Sequence, residues 1–151
     1  MKKVTQINLL DTNIYIANFR NNAYANLVKS PSNFLSAIVL TELYIGATQS
    51  QKRVIRRKLE KHYAKKDRIV IPTRSDYTAL SEILQRLRGR LDINQRSIVF
   101  DVLIALTARR VKATIVTEDG HFEILKETMR RYRDFRLALA DRSRDTLQPI
   151  P

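Results

Sequence analysis

The chain has 151 residues, no cysteine, 44% hydrophobic residues and a net charge of +13, which excludes disulfide scaffolds, thiolate metal sites and cysteine nucleophiles. Only 3 Gly and 4 Pro interrupt apolar residues spread along the whole length, so a disordered chain is excluded and one compact domain is expected. The positive excess points to a polyanion, nucleic acid before an anionic membrane or an acidic protein, because each phosphate neutralised releases counterions.

The first ten residues are too weakly apolar for a signal peptide, and no apolar run nears the ~20 residues that cross a bilayer. A soluble, cytoplasmic protein without a membrane partner is expected. Residues 4–10 read as a strand, and Asp11 and Thr12 supply capping side chains before Ile14, Ile16, Ala17 and Phe19 begin a helical spacing. Residues 34–38 form a second β-like run that passes without Gly or Pro into a helical stretch at 39–48. Residues 51–66 are helical, with Ile55, Leu59 and Tyr63 (or His62) on one stripe. Residues 68–71, closed by Pro72, make a third strand.

Residues 75–90 form an amphipathic helix in which Tyr77, Leu80, Leu84 and Leu87 recur after a Ser75 or Asp76 cap, with Gly89 at its end. Residues 95–111 make a largely buried helix, 113–116 a strand directly after it, and Asp119-Gly120 a turn. A helix over 122–132 and a strand over 135–139 close a domain spanning 1–140, and the polar tail 141–151 is expected to be loosely ordered. Strands alternating with helices predict an α/β sandwich with a mainly parallel sheet, whose sites form beyond the carboxyl ends of the strands.

That rule draws attention to four carboxylates. Asp11 and Asp119 each follow a strand and should share one rim of the sheet, although each also suits a plain local role, Asp11 as a helix cap and Asp119 as a turn residue. Glu42 shares a helical face with Ile38, Val39, Ile45 and Gly46, and Asp101 one with Ile98, Ala105 and Ala108. A carboxylate on an apolar face needs a cation, a hydrogen-bond network or a raised pKa. A buried salt bridge to an arginine would serve as well. Four acids meeting at one rim would repel unless a divalent cation neutralised them, and all-oxygen ligation suits Mg²⁺ or Mn²⁺ better than Zn²⁺. With the basic charge, the chemistry implied is phosphodiester hydrolysis.

Between residues 51 and 68, nine basic side chains face two acidic ones, a local net charge of +7 that is more than half the total. Arg53, Arg56, Arg57 and Lys61 fall off the apolar stripe and could form a phosphate-binding face, or simply a solvated one. Arg109, Arg110 and Lys112 make a smaller cluster that could bind RNA or pair with nearby acids. The two histidines, His62 and His121, would permit a metal-free acid–base mechanism. A catalytically silent RNA-binding module and a DNA-binding regulator are the other rivals.

The segments LLDTNIYI from Leu9, SAIVLTELYIGA from Ser36 and FDVLIALTARRVKATIVTEDGHF from Phe100, in that order and spacing, resemble PIN-domain nucleases, especially VapC-type toxins. The resemblance runs from about Asn8 to Phe122. It places the family's acids on Asp11, Glu42, Asp101 and Asp119 as catalytic and metal-binding residues, and supporting polar roles on Thr12, Asn13 and Thr117. It implies a three-layer α/β/α sandwich with about five strands, endoribonuclease activity, dimerisation and a cognate antitoxin. Two positions depart from the pattern: Phe100 stands where Asn often precedes the third acid, and His121 where a further Asp often follows the fourth.

Overall fold

A computed structural model describes residues 6–143 and 146–151; Val4 and Thr5, expected in the first strand, lie outside the described residues. Strands β1 (Ile7–Leu10), β2 (Asn33–Ser36), β3 (Ile69–Val70), β4 (Ala113–Thr117), β5 (Arg136–Asp141) and β6 (Thr146–Ile150) form one sheet in the order β3-β2-β1-β4-β5-β6. The first five are parallel to their neighbours, and β6 pairs antiparallel with β5. Helices α1 (Thr12–Asn21), α2 (Ala25–Val28), α3 (Ala37–Ile45), α4 (Gln49–Ile55), α5 (Lys61–Lys65), α6 (Arg74–Leu87), α7 (Arg96–Val111) and α8 (His121–Met129) connect and flank the strands. The expected α/β fold with a mainly parallel sheet is the one found.

The register sets the site. Leu10 lies opposite Val116, and the Asp11 amide donates to the Val116 carbonyl at 2.9 Å, so β1 and β4 end side by side. β4 is buried along its whole length, as expected of a strand covered on both faces. Leu9, Leu10, Leu35, Ile83, Leu87, Ile104, Ile115, Phe122, Leu125 and Met129 are fully buried in one core, each contributing about 1.5–3 kcal/mol of transfer free energy.

Four local expectations are corrected. The tail contains a strand where loose order was expected: residues 146–150 form β6, giving six strands rather than about five, and mostly exposed side chains leave no apolar alternation to reveal it. β2 ends at Ser36 because its Oγ accepts from the Ile38 and Val39 amides at 3.2 and 3.4 Å, starting α3 before the expected strand is complete. In α6 the cap is Thr73, locked in a capping box with Asp76, and Asp76 is buried against Arg110 at 3.1 Å. The helix face therefore turns so that Ala79, Ile83 and Leu87 point inward while Tyr77 is 54% exposed. Gly89, at φ 89°, occupies the left-handed region just after the helix ends, where a side chain would be strained.

The helix at 51–66 contains a π turn, Arg56–Glu60, between α4 and α5. An α-helix repeats every 3.6 residues, so a strict four-residue spacing drifts by about 40° per step. The wider turn absorbs that drift and keeps Ile55, Leu59 and Tyr63 buried together, while His62 is exposed.

Candidate active site

Asp11 caps α1, its Oδ1 accepting from the Thr12 amide at 2.8 Å. Its Oδ2 accepts from the Thr117 hydroxyl at 2.8 Å and from Asn13 Nδ2 at 3.4 Å. Asn13 also donates to Thr117 Oγ1 at 3.2 Å and accepts from the Glu118 amide at 3.3 Å. The Asp119 amide in turn donates to Thr117 Oγ1 at 2.9 Å. Asp119 is also a turn residue, accepting from the His121 amide at 2.9 Å. From α3, Glu42 accepts the Thr12 hydroxyl at 3.0 Å. The local and the site-forming readings of Asp11 and Asp119 thus hold together, and Thr12, Asn13 and Thr117 stitch three of the acids into one network.

Asp101 projects from α7 and is 8% exposed, among buried Ile98, Ala105 and Ala108. Among the described residues, no donor bonds to its carboxyl and no arginine pairs with it or with Glu42. The salt-bridge alternative is not what the fold builds. Burial pushes the Asp101 carboxyl up to about 8, and the charges of Asp11, Asp119 and Glu42 add to the effect. Burial also raises Asp11, against the bonds from Thr117 and Thr12 and with the charge of Asp119. Glu42 is raised by burial and by Asp11, against Thr12 and the charge of Arg96. The four acids therefore feel one another, although no three His, Asp or Glu side chains among the described residues are already drawn in around a single ion position.

The PIN domain family matches residues 9–128, a span that contains all four acids. The chain belongs to the PIN-domain family. Among solved structures, this PIN domain is similar to FitAcB from Neisseria gonorrhoeae, with 24% identity over 79% of this chain and 93% of that one and a TM-score of 0.59. It is similar to VapBC2 from Rickettsia felis bound to a DNA fragment from their promoter, with 24% identity over 90% and 100% of the two chains and a TM-score of 0.62. FitAB bound to an IR36 DNA fragment aligns with 22% identity over 79% and 90%, at a TM-score of 0.59. At these identities the likeness is one of fold. Compared by sequence with curated proteins, the chain matches none.

Glu42 is less enclosed in this PIN domain than its sequence neighbours suggest, because Ile45 is 52% exposed and Gly46 open to solvent. A cavity of about 490 Å³ brings Glu42 and Thr12 together with Gln95, Arg96 and Ser97. Arg96 is a residue the sequence reading missed: its charge favours ionised Glu42, but nothing in the spacing of a helix start marks it. A second missed cluster abuts the rim at Glu118, between Thr117 and Asp119. Its carboxylate accepts from the Tyr24 hydroxyl at 2.7 Å and from Arg142 at 2.8 and 3.1 Å, and those bonds, with the Arg142 charge, hold it below its ordinary value despite partial burial.

The basic residues divide. Arg53, Arg56, Arg57 and Lys61 are exposed on the α4–α5 helix. Arg109 and Lys112 are exposed at the end of α7, next to the start of β4 and so at the opposite end of that strand from Asp119. Arg110 is taken up by Asp76 and by the Ile71 carbonyl at 2.8 Å, which realises the ion-pair alternative for that residue. His121 stands beside Asp119, Nδ1 to Oδ1 at 3.5 Å, whereas His62 packs edge-on against Tyr63 on α5. The two do not form a catalytic pair.

Proposed function

We propose that this PIN domain is a cytoplasmic, homodimeric, divalent-metal-dependent endoribonuclease, using Mg²⁺ or Mn²⁺, and the toxin of a toxin–antitoxin pair. One observation carries the reading: Asp101 is a buried carboxyl without a donor or a cation partner, surrounded by the charges of three further acids. Such a group needs either a proton or a cation. An all-oxygen donor set suits a hard divalent ion, so Asp11, Glu42, Asp101 and Asp119 are the residues that would hold it. When bound, the ion supplies positive charge that offsets these acids and the charge developing at phosphorus.

The chain's own residues supply the rest. Three donors fix the Asp11 carboxylate, so its oxygens are already oriented before any ligand arrives. Thr117 couples that carboxylate to the Asp119 amide, and Thr12 positions Glu42. Arg96 lines the cavity that Glu42 and Thr12 share, where its charge can orient an incoming phosphate. The toxin reading is supported by the motif resemblance and by a fold shared with proteins solved as FitAcB and VapBC2.

Purified protein incubated with total RNA in Mg²⁺, Mn²⁺ or EDTA is expected to cut only with metal, and mapped ends give the target. Cleavage that persists in EDTA returns the reaction to metal-free groups. No cleavage in any condition leaves a silent RNA-binding module. Expression without an antitoxin is expected to arrest growth; unaffected growth with protein active in vitro removes the toxin role and leaves the nuclease.

A further inference from the structure

A cavity of about 830 Å³ lies away from the acids, where α1 ends and β2 begins. Lys29, Arg57, Lys58 and Lys66 line it together with His62, and no acidic residue does. None of these four cations has an ion-pair partner among the described residues. Convergent unpaired charges repel one another, so the arrangement favours an anion. At the wall stands Asn33, fully buried, whose Nδ2 donates to the Leu27 and Val28 carbonyls and so ties the end of α2 to the start of β2.

A groove of about 390 Å³ adjoins this cavity and reaches Glu42. Glu42 lines one end of the groove, and Phe19 and Lys58 line both the groove and the cavity. Phe19 and Ile16 are 43% and 36% exposed, although their spacing alone suggests a core stripe. An open aromatic ring beside a basic track is how proteins hold unpaired bases. α1 spans the distance, with Thr12 bonded to Glu42 at its start and Asn22 in the cavity just past its end; its 10 residues cover about 15 Å, a span of several nucleotides.

We infer that the cavity is a second anchor for the single-stranded RNA whose cleavage is proposed above, with a base over Phe19 and phosphates held by Lys29, Lys58 and Lys66. The inference rests on the nuclease reading for its substrate but not for its readout, which is binding. Lys29 and Lys66 are exposed, so Lys29→Gln with Lys66→Gln leaves the core untouched.

Fluorescence anisotropy with a long single-stranded oligouridine, on protein made cleavage-silent by Asp101→Asn, is expected to show the salt slope reduced by about 1.4 in the double variant, about 0.7 per lost phosphate contact. An oligouridine too short to reach from Glu42 to the cavity should bind both proteins alike. With an active chain, the long substrate should show raised KM at unchanged kcat. An unchanged slope, or equal weakening for the long and short RNAs, overturns the anchor. Loss of binding to an acidic antitoxin peptide with RNA binding intact assigns the cavity to a protein and overturns it as well. If the wild-type chain cleaves nothing but the slope still falls, the nuclease reading fails and the anchor stands.

Discussion

Asp101→Asn is expected to lower RNA cleavage by ~10²–10³-fold, the order lost when one charge-stabilising group is taken from a preorganised site, while the fold survives. The substitution keeps the shape and burial of the side chain, removes a carboxylate that three others repel, and deletes one ligand for the ion. Asp11→Asn should match it in activity but not in stability, because Asp11 Oδ2 accepts two side-chain donors that an amide can satisfy only in part. Single-turnover cleavage at saturating metal is the measurement. Retention of more than half the wild-type rate in both variants would sink the acidic-site reading.

Stability of the metal-free protein should fall as pH rises from about 5 to about 8, by up to about 1.4 kcal/mol per pH unit from Asp101 alone. The sign follows from its folded value of about 8 against an ordinary 3.8. The folded state holds a proton that the unfolded state has released, so the fold is favoured on the acid side and loses that advantage until Asp101 ionises. Asp11 and Glu42 are raised too and act in the same direction. Glu118 is lowered and acts oppositely, but only below its ordinary 4.5. Urea midpoints in EDTA are the test, and saturating Mg²⁺ should flatten or invert the slope, since it binds the deprotonated acids. A wild-type slope that Asp101→Asn leaves unchanged would mean that the buried proton lies elsewhere.

Much of the site is legible in the sequence for a simple reason. β1 and β4 are short apolar runs that each end at a polar residue, and parallel pairing puts both ends on one rim, so Asp11 and Asp119 must be neighbours. Asp101 is legible because it interrupts a helix that is apolar on nearly every side. Features that depend on contacts between distant segments carry no such mark. Tyr24, Glu118 and Arg142 come from three separate stretches and meet only after the sheet forms. Asp76 reads as a solvent-facing helix start until Arg110 arrives across α7. β6 is held mostly by backbone pairing to β5, which leaves no pattern in side chains. Phe19 shows the converse, a hydrophobic residue at core spacing that the packing leaves in a groove.

The π turn at Arg56–Glu60 has a bearing on which insertions and deletions the chain can survive. The buried residues in and around it, Ile55, Leu59 and Tyr63, stand at steps of four and four. Removing one residue between Ile55 and Leu59 changes those steps to three and four, the regular spacing of an ordinary amphipathic helix. Deletion of Lys58 should therefore be absorbed by reversion to a plain α-helical turn, with a urea midpoint close to that of the full chain. Deleting Val102 from the evenly wound α7 has no such slack and should misalign every buried side chain after it. A large drop in midpoint for the Lys58 deletion would show that the wide turn is held by more than its stripe.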